Sequence, residues 1–185
     1  MKVGLLGGTF NPPHIGHVLI ARQVLDFSDV DEVWFLPNYR QDPEKPDVSS
    51  VEDRVAMVRM IDLSKTRVST LEIDHKLDGN TINLLPVLPK EHTFCFIIGS
   101  DWLPNFHRWG NYEELLKKLP FFVFPRYGHP VEPLYDHMTV ISHPDLVSFD
   151  ISCTKIRNRV KQGLSIDAFV PKGVGEYIQE HNLYR

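Results

Sequence analysis

Short unbroken apolar runs alternate along this chain with longer stretches in which apolar residues recur every three or four positions. Val3 to Leu6, Val33 to Leu36, Thr93 to Ile98 and Phe121 to Phe124 are runs of the first kind, with the length expected of strands buried on both faces. Between the first two, Val18, Leu19, Ala21, Val24 and Leu25 keep helical spacing and predict a helix over Gly16 to Phe27. Ser49 or Ser50 can cap a second helix from about Val51 to Leu63, in which Val55, Val58 and Ile61 form the apolar stripe and Asp53 and Arg54 are expected to face solvent. The same reading predicts a short strand near Val68 to Ile73, helices over Thr81 to Leu88 and Tyr112 to Lys118, and a last long strand over Met138 to Ile141. Two helices follow, near Thr154 to Gln162 and Gly173 to Glu180, while the polar, proline-containing stretch Asn38 to Ser50 predicts a mobile loop.

Strands alternating with helices require right-handed crossovers and hence a parallel sheet, with any ligand beyond the carboxyl ends of its strands. At 185 residues the chain can bury a core unaided, as one domain or one domain with a small C-terminal extension, so a homo-oligomer is permitted but not required. No apolar run approaches the roughly 20 residues of a membrane span. The first residues pass straight into a glycine-rich loop without a signal-like segment, which makes the cytoplasm the expected location. The net charge of -4 lacks the basic footprint that a nucleic acid polymer demands, whereas a mononucleotide needs only a few aimed donors. Cys95 and Cys153 show no CxxC spacing, which predicts two reduced thiols.

The densest chemistry lies between the first strand and the first helix, in Gly7-Gly8-Thr9-Phe10-Asn11-Pro12-Pro13-His14-Ile15-Gly16-His17. The two glycines let backbone amides approach a phosphate, and Asn11-Pro12-Pro13 fixes a rigid turn. His14 and His17 stand three apart at a helix start, so both rings can reach one anion, helped by free amides and the positive end of the helix dipole. Imidazoles donate to phosphate oxygens or, if protonated, neutralise developing charge. The competing readings are a histidine cap with a packed partner, or a metal pair whose further ligands the local sequence does not supply. Asp101 follows the strand that Gly99 ends, where it serves either as an acceptor for ribose or adenine or as a cap. Ser152 or Thr154 can cap the next helix, and Arg157 can return to phosphates or make a surface ion pair. Trp102 and Trp109 can stack on a flat ring or sit in the core.

These residues carry a resemblance. The first segment resembles the signature of the His-x-Gly-His nucleotidyltransferase superfamily and is most similar to the bacterial-type nicotinate mononucleotide adenylyltransferases. Ile97-Ile98-Gly99-Ser100-Asp101 resembles that family's Ile-Gly-x-Asp segment, and Ile151-Ser152-Cys153-Thr154-Lys155-Ile156-Arg157 its Ile-Ser-Ser-Thr-x-Ile-Arg motif, so the likeness spans nearly the whole chain. It implies a Rossmann-like, doubly wound α/β fold with helices on both faces: a single nucleotidyltransferase domain over 1–185 with a small helical C-terminal part at about 152–185. It further implies attack by the phosphate of nicotinate mononucleotide on the α-phosphorus of ATP, releasing pyrophosphate. In that scheme His14, His17 and Arg157 are catalytic, and Gly7, Gly8, Thr9, Phe10, Gly16, Gly99, Asp101, Ser152 and Thr154 bind ATP. Thr81 and Trp109 receive the pyridine, Trp109 matching the family's stacking position better than Trp102. Mg²⁺ travels with ATP and has no protein cage of its own.

Two departures matter. The family's Pro-x-x-His-Lys segment is replaced by Pro37-Asn38-Tyr39-Arg40 with Lys45 further on, so Arg40 or Lys45 either supplies the missing base or is a solvated loop charge. Cys153 stands where the later motif has serine. Adenylyl or cytidylyl transfer to another phosphorylated acceptor, such as nicotinamide mononucleotide or phosphopantetheine, and a non-catalytic nucleotide sensor stay open as alternatives. An RNA-binding module lacks its basic stripe.

Overall fold

The computed structural model describes residues 1–39 and 48–185; Arg40 and Lys45 lie outside the described residues. In chain order the elements are β1 (Lys2–Gly8), α1 (Ile15–Phe27), β2 (Glu32–Pro37), α2 (Val51–Val58), β3 (Thr66–Val68), α3 (Leu71–Asp74) and α4 (Thr81–Leu84). Then come β4 (Thr93–Gly99), α5 (Tyr112–Lys118), β5 (Phe121–Phe124), β6 (Met138–Val140), α6 (Cys153–Lys161) and α7 (Val174–Glu180). Short 3-10 segments cover Leu85–Val87 and Ser100–Arg108.

The six strands form one parallel sheet in the order β3-β2-β1-β4-β5-β6. Consecutive apolar residues within the central strands serve two cores at once. Val3, Leu5, Trp34, Leu36, Phe96, Ile98, Phe121 and Val123 pack on one face with α4 and α5. Leu6, Val33, Phe35, Cys95, Ile97, Phe122 and Phe124 pack on the other, against Ile20, Ala21 and Val24 of α1 and Val58 of α2. This period-two division is why the runs read as unbroken apolar sequence. The chain winds outward from β1 toward β3, then crosses to β4 and winds the other way, which opens a crevice at the carboxyl ends of β1 and β4. A third cluster joins Met57 of α2 to Ile156, Ile166, Val170, Val174 and Ile178, fastening the C-terminal helices to the α2 side.

Five expectations are corrected, the first being that the helix expected over Val51 to Leu63 ends at Val58. The strand near 68–73 stops at Val68; Thr70 begins a turn, its hydroxyl donates to Asp74 Oδ2 at 2.7 Å, and α3 lets Leu71 join the first core. The helix expected over 81–88 tightens to 3-10 at Leu85, because Pro86 has no amide to continue an α-helix. Strand β6 has three residues rather than being long, as befits a sheet edge. Arg54 does not face solvent: it is completely buried, on the same face of α2 as Met57 and Val58.

Candidate active site

A cleft of about 380 Å³ opens where the sheet changes direction. Gly7, Gly8 and Thr9 from the end of β1, His17 from α1, Gly99 and Asp101 after β4, and Thr81, Trp102, Trp109 and Arg126 around the rim all line it. The expected phosphate loop, ribose acceptor and pyridine wall therefore meet in one place, although they come from four separate stretches of sequence. His14, Phe10, Gly16, Ser152, Thr154 and Arg157 are not among the lining residues.

They pack or hydrogen-bond in the loop and helices that flank the cleft. The Phe10 ring is buried and lies 4.8 Å from the His17 ring, holding it in place. A Cβ on Gly16 would come within 2.6 Å of Ile151 Cγ2 and 2.7 Å of the Phe149 ring, so only glycine lets α1 approach the 149–151 segment this closely. Ser152 caps α6 by accepting from the Lys155 amide at 3.3 Å. Arg157 donates to the Asn11 carbonyl at 2.9 Å and to Thr154 Oγ1 at 3.4 Å, which ties α6 to the loop before α1. Tyr184 adds a second tie from the C-terminal end, its hydroxyl donating to Asn11 Oδ1 at 2.7 Å.

The histidine pair has a defined electrostatic state. Their rings stack, with centroids 3.8 Å apart. The His14 amide donates to His17 Nδ1 at 3.1 Å, so the proton of the neutral His17 ring sits on Nε2 and remains available as a donor. Burial, and after it the Arg126 charge, lower the His17 pKa to about 3, while burial and the neighbouring His17 push His14 far below the ordinary histidine range. Both imidazoles are thus neutral at physiological pH. His17 is a cap and a cleft residue together, which joins two readings that the spacing left as competitors. The helix amides contribute less than expected, since the Ile15 amide donates to the Phe169 carbonyl at 2.8 Å and the His17 amide to the His14 carbonyl at 2.9 Å.

Asp101 is half-buried, and its Oδ1 is buried and unpaired while its residue lines the cleft. An unpartnered acceptor in that position suits a ribose hydroxyl or an adenine amine. Gly99 makes the approach possible, because a Cβ there would collide with Asp101 Oδ1 and come within 3.0 Å of Arg126 Cγ. Trp109 packs edge-on against Phe96 at 5.8 Å and tilted against Phe106 at 4.9 Å, so it is both core and cleft wall. Trp102, for which a core position stood open, is 48% exposed and lies 5.7 Å from Trp109 at the rim.

Two charged residues, Arg126 and Glu72, escaped the sequence reading, and a third, Arg54, was expected in solvent. Arg126 lies two residues past the end of β5; its amide donates to Ser100 Oγ at 3.0 Å, one guanidinium nitrogen donates to the Ile151 carbonyl at 3.0 Å, and its Nε is buried without a partner. Its position just past the carboxyl end of a strand beside the crevice was the signal available. Glu72 is 6% exposed and lines the cleft, and burial raises its carboxyl pKa. No pattern in its neighbourhood marks it. Arg54 donates to the Thr9 carbonyl at 2.9 Å, to Asn38 Oδ1 at 3.1 Å and to the Asn38 carbonyl at 2.8 Å, clamping the phosphate loop to the end of β2. Arg54→Met keeps the stem and removes these bonds. It is expected to cost about 2 to 4 kcal/mol, or roughly 5 to 15 °C in Tm; a thermal melt matching that of the parent would show that the clamp does not support the fold.

Residues 5–159 match the model of the cytidylyltransferase-like family. The chain is 35% identical over 192 residues to a protein of Halalkalibacterium halodurans named "probable nicotinate-nucleotide adenylyltransferase", covering 100% of this chain and 91% of that one. It is 38% identical to the Lactiplantibacillus plantarum protein of the same name, with 99% and 88% covered. Among solved structures, the Plasmodium falciparum nicotinic acid mononucleotide adenylyltransferase complexed with NaAD superposes with a TM-score of 0.80 at 20% identity, covering 99% of this chain and 97% of that one.

Proposed function

Because the chain belongs to the cytidylyltransferase-like family, we propose that it transfers the adenylyl group of ATP to nicotinate mononucleotide, giving deamido-NAD and pyrophosphate in NAD biosynthesis. The observation that carries this reading is the convergence of His17, the Gly7 to Thr9 loop, Asp101, Thr81 and Trp109 on one cleft at the crossover of the sheet. The nucleophile is a phosphate oxygen that is already anionic, so no base is required to create it. Catalysis reduces to holding two phosphates in line and stabilising charge on the leaving pyrophosphate.

In this mechanism the backbone of Gly7, Gly8 and Thr9 lies along the triphosphate and the neutral His17 ring donates from Nε2 to it. His14 acts from behind, its amide fixing the His17 tautomer. Arg126 supplies the fixed positive charge that two uncharged imidazoles do not. Arg157 holds the loop through the Asn11 carbonyl rather than lying at the mouth of the cleft. Asp101 takes the ribose or adenine of ATP, and the pyridine lies on Trp109 near Thr81. Magnesium carried on the triphosphate would supply neutralisation of the phosphate charge. Among the described residues lining the cleft, Asp101 and Glu72 are the acids that could face it.

Pyrophosphate release with ATP and magnesium, compared across nicotinate mononucleotide, its amide and phosphopantetheine, tests the proposal. Turnover is expected to be highest with the acid, and turnover confined to phosphopantetheine would overturn it. Trp109→Ala is expected to raise KM for the pyridine mononucleotide by about tenfold through lost stacking, with a much smaller change in KM for ATP. An equal loss for both substrates would assign Trp109 to packing alone.

A further inference from the structure

The loop before α1 and the start of α6 bring a third donor beside the two imidazoles. Cys153 presents its thiol to the histidine pair, and one potential ligand atom from each of His14, His17 and Cys153 lies within 4.8 Å of the other two. His14 is 3% exposed, and its Nδ1 has no hydrogen-bond partner. The thiol donates to the Pro12 carbonyl at 3.3 Å and also meets the Asn11 backbone, whereas Cys95 is sealed in the sheet core.

We propose that His14, His17 and Cys153 form a binding site for a thiophilic divalent cation of the zinc class, and that its occupation switches adenylyl transfer off. Two imidazoles and a thiolate are the donor set of zinc, whereas magnesium takes oxygen ligands. Around a tetrahedral zinc with bonds of about 2.0 to 2.3 Å, neighbouring ligand atoms stand roughly 3.5 Å apart. The present separations, up to 4.8 Å, need to close by about 1 Å, and the stacked His14 and His17 rings must turn about their side-chain torsions so that both in-plane lone pairs face one ion. Three protein ligands leave the fourth position for water or a phosphate oxygen.

Coordination is incompatible with the catalytic state of His17. A neutral imidazole has one ring nitrogen with a free lone pair, and in His17 that nitrogen is Nδ1, which accepts the His14 amide. A metal either takes Nδ1 and breaks that bond, or takes Nε2 and removes the N–H meant for phosphate. The thiol proton passes to solvent as the metal–sulfur bond forms. Binding stands independently of the proposed reaction, while inhibition rests on it.

The test titrates the full chain calorimetrically with zinc chloride and, separately, magnesium chloride, and records the cobalt-substituted spectrum. Pyrophosphate release is followed in parallel with magnesium present and free zinc set by a chelating buffer. The parent is expected to bind zinc but not magnesium without nucleotide, to show a thiolate-to-cobalt charge-transfer band, and to lose turnover as zinc binds. Cys153→Ser is expected to keep its magnesium-supported turnover, lose the band and bind zinc at least about tenfold more weakly, since even an outer-shell partner is worth that much. Cys153→Ala provides the same comparison without a hydroxyl. Zinc binding equally tight in both variants, or absent in the parent, overturns the site; tight binding with turnover unchanged overturns the inhibition. A parent that binds zinc as described yet turns over no pyridine nucleotide counts against the assigned reaction and leaves the site standing.

Discussion

Replacing His17 with alanine is expected to lower turnover by about 10² or more, the usual loss when one aimed donor to a transition-state oxygen is removed. Most of the effect should fall on kcat, because the donor matters most when charge accumulates on the leaving pyrophosphate. The electrostatics add a signature that lost packing would not produce. With its pKa lowered to about 3, His17 is uncharged across the working range, so the ratio of parent to variant kcat/KM should stay flat between about pH 6 and pH 8. A ratio that falls as pH rises through the ordinary histidine value would mean that the imidazolium form does the work. Stability gives the matching sign. The unfolded chain protonates His14 and His17 near 6.5, while the folded chain keeps them neutral, so stability falls as pH drops below about 6.5. Steady-state rates over that range and melts at acidic pH check both statements, and an unchanged turnover number would remove His17 from the mechanism.

Arg126→Ala is expected to reduce kcat/KM for ATP by roughly 10- to 100-fold, the worth of a charge-assisted hydrogen bond to phosphate of about 1.5 to 3 kcal/mol. The residue is anchored at its amide by Ser100 and at its guanidinium by Ile151, and its unpaired Nε is buried. A cation held this rigidly before substrate arrives loses little freedom on binding. Arg126→Lys should recover only part of the loss, because an ammonium has the charge without the fork. KM for the pyridine mononucleotide should change far less. A variant that loses both affinities together with its Tm would reduce Arg126 to a strut between Ser100 and Ile151.

The two arginines illustrate how far residues could be read without coordinates. Arg54 shares the helical face of Met57 and Val58, so the periodicity that located α2 also put Arg54 on the inward side. Preference for solvent was the wrong rule there, because the free carbonyls of Thr9 and Asn38 lie across from it and need a donor. Arg126 occupied a place that the crossover rule marks as functional, but the relevance of β5 depends on strand order. Strand β5 borders β4, and neighbour relations in a parallel sheet are not written in local pattern.

Local sequence determined the strands whose two faces both pack, the helices with a clear apolar stripe, and the glycine-rich loop with its histidine pair. Each is set by neighbours within a few residues: side-chain alternation, helical spacing, and glycines that admit a backbone to close quarters. What only the tertiary structure decided was the assembly across distance, including Asp101 left unpaired in the cleft, His17 stripped of its charge, and Cys153 carried to the imidazoles. Those outcomes depend on burial and on which carbonyl or cation comes to lie nearby, quantities that arise once the sheet has closed around the cleft and water has been excluded.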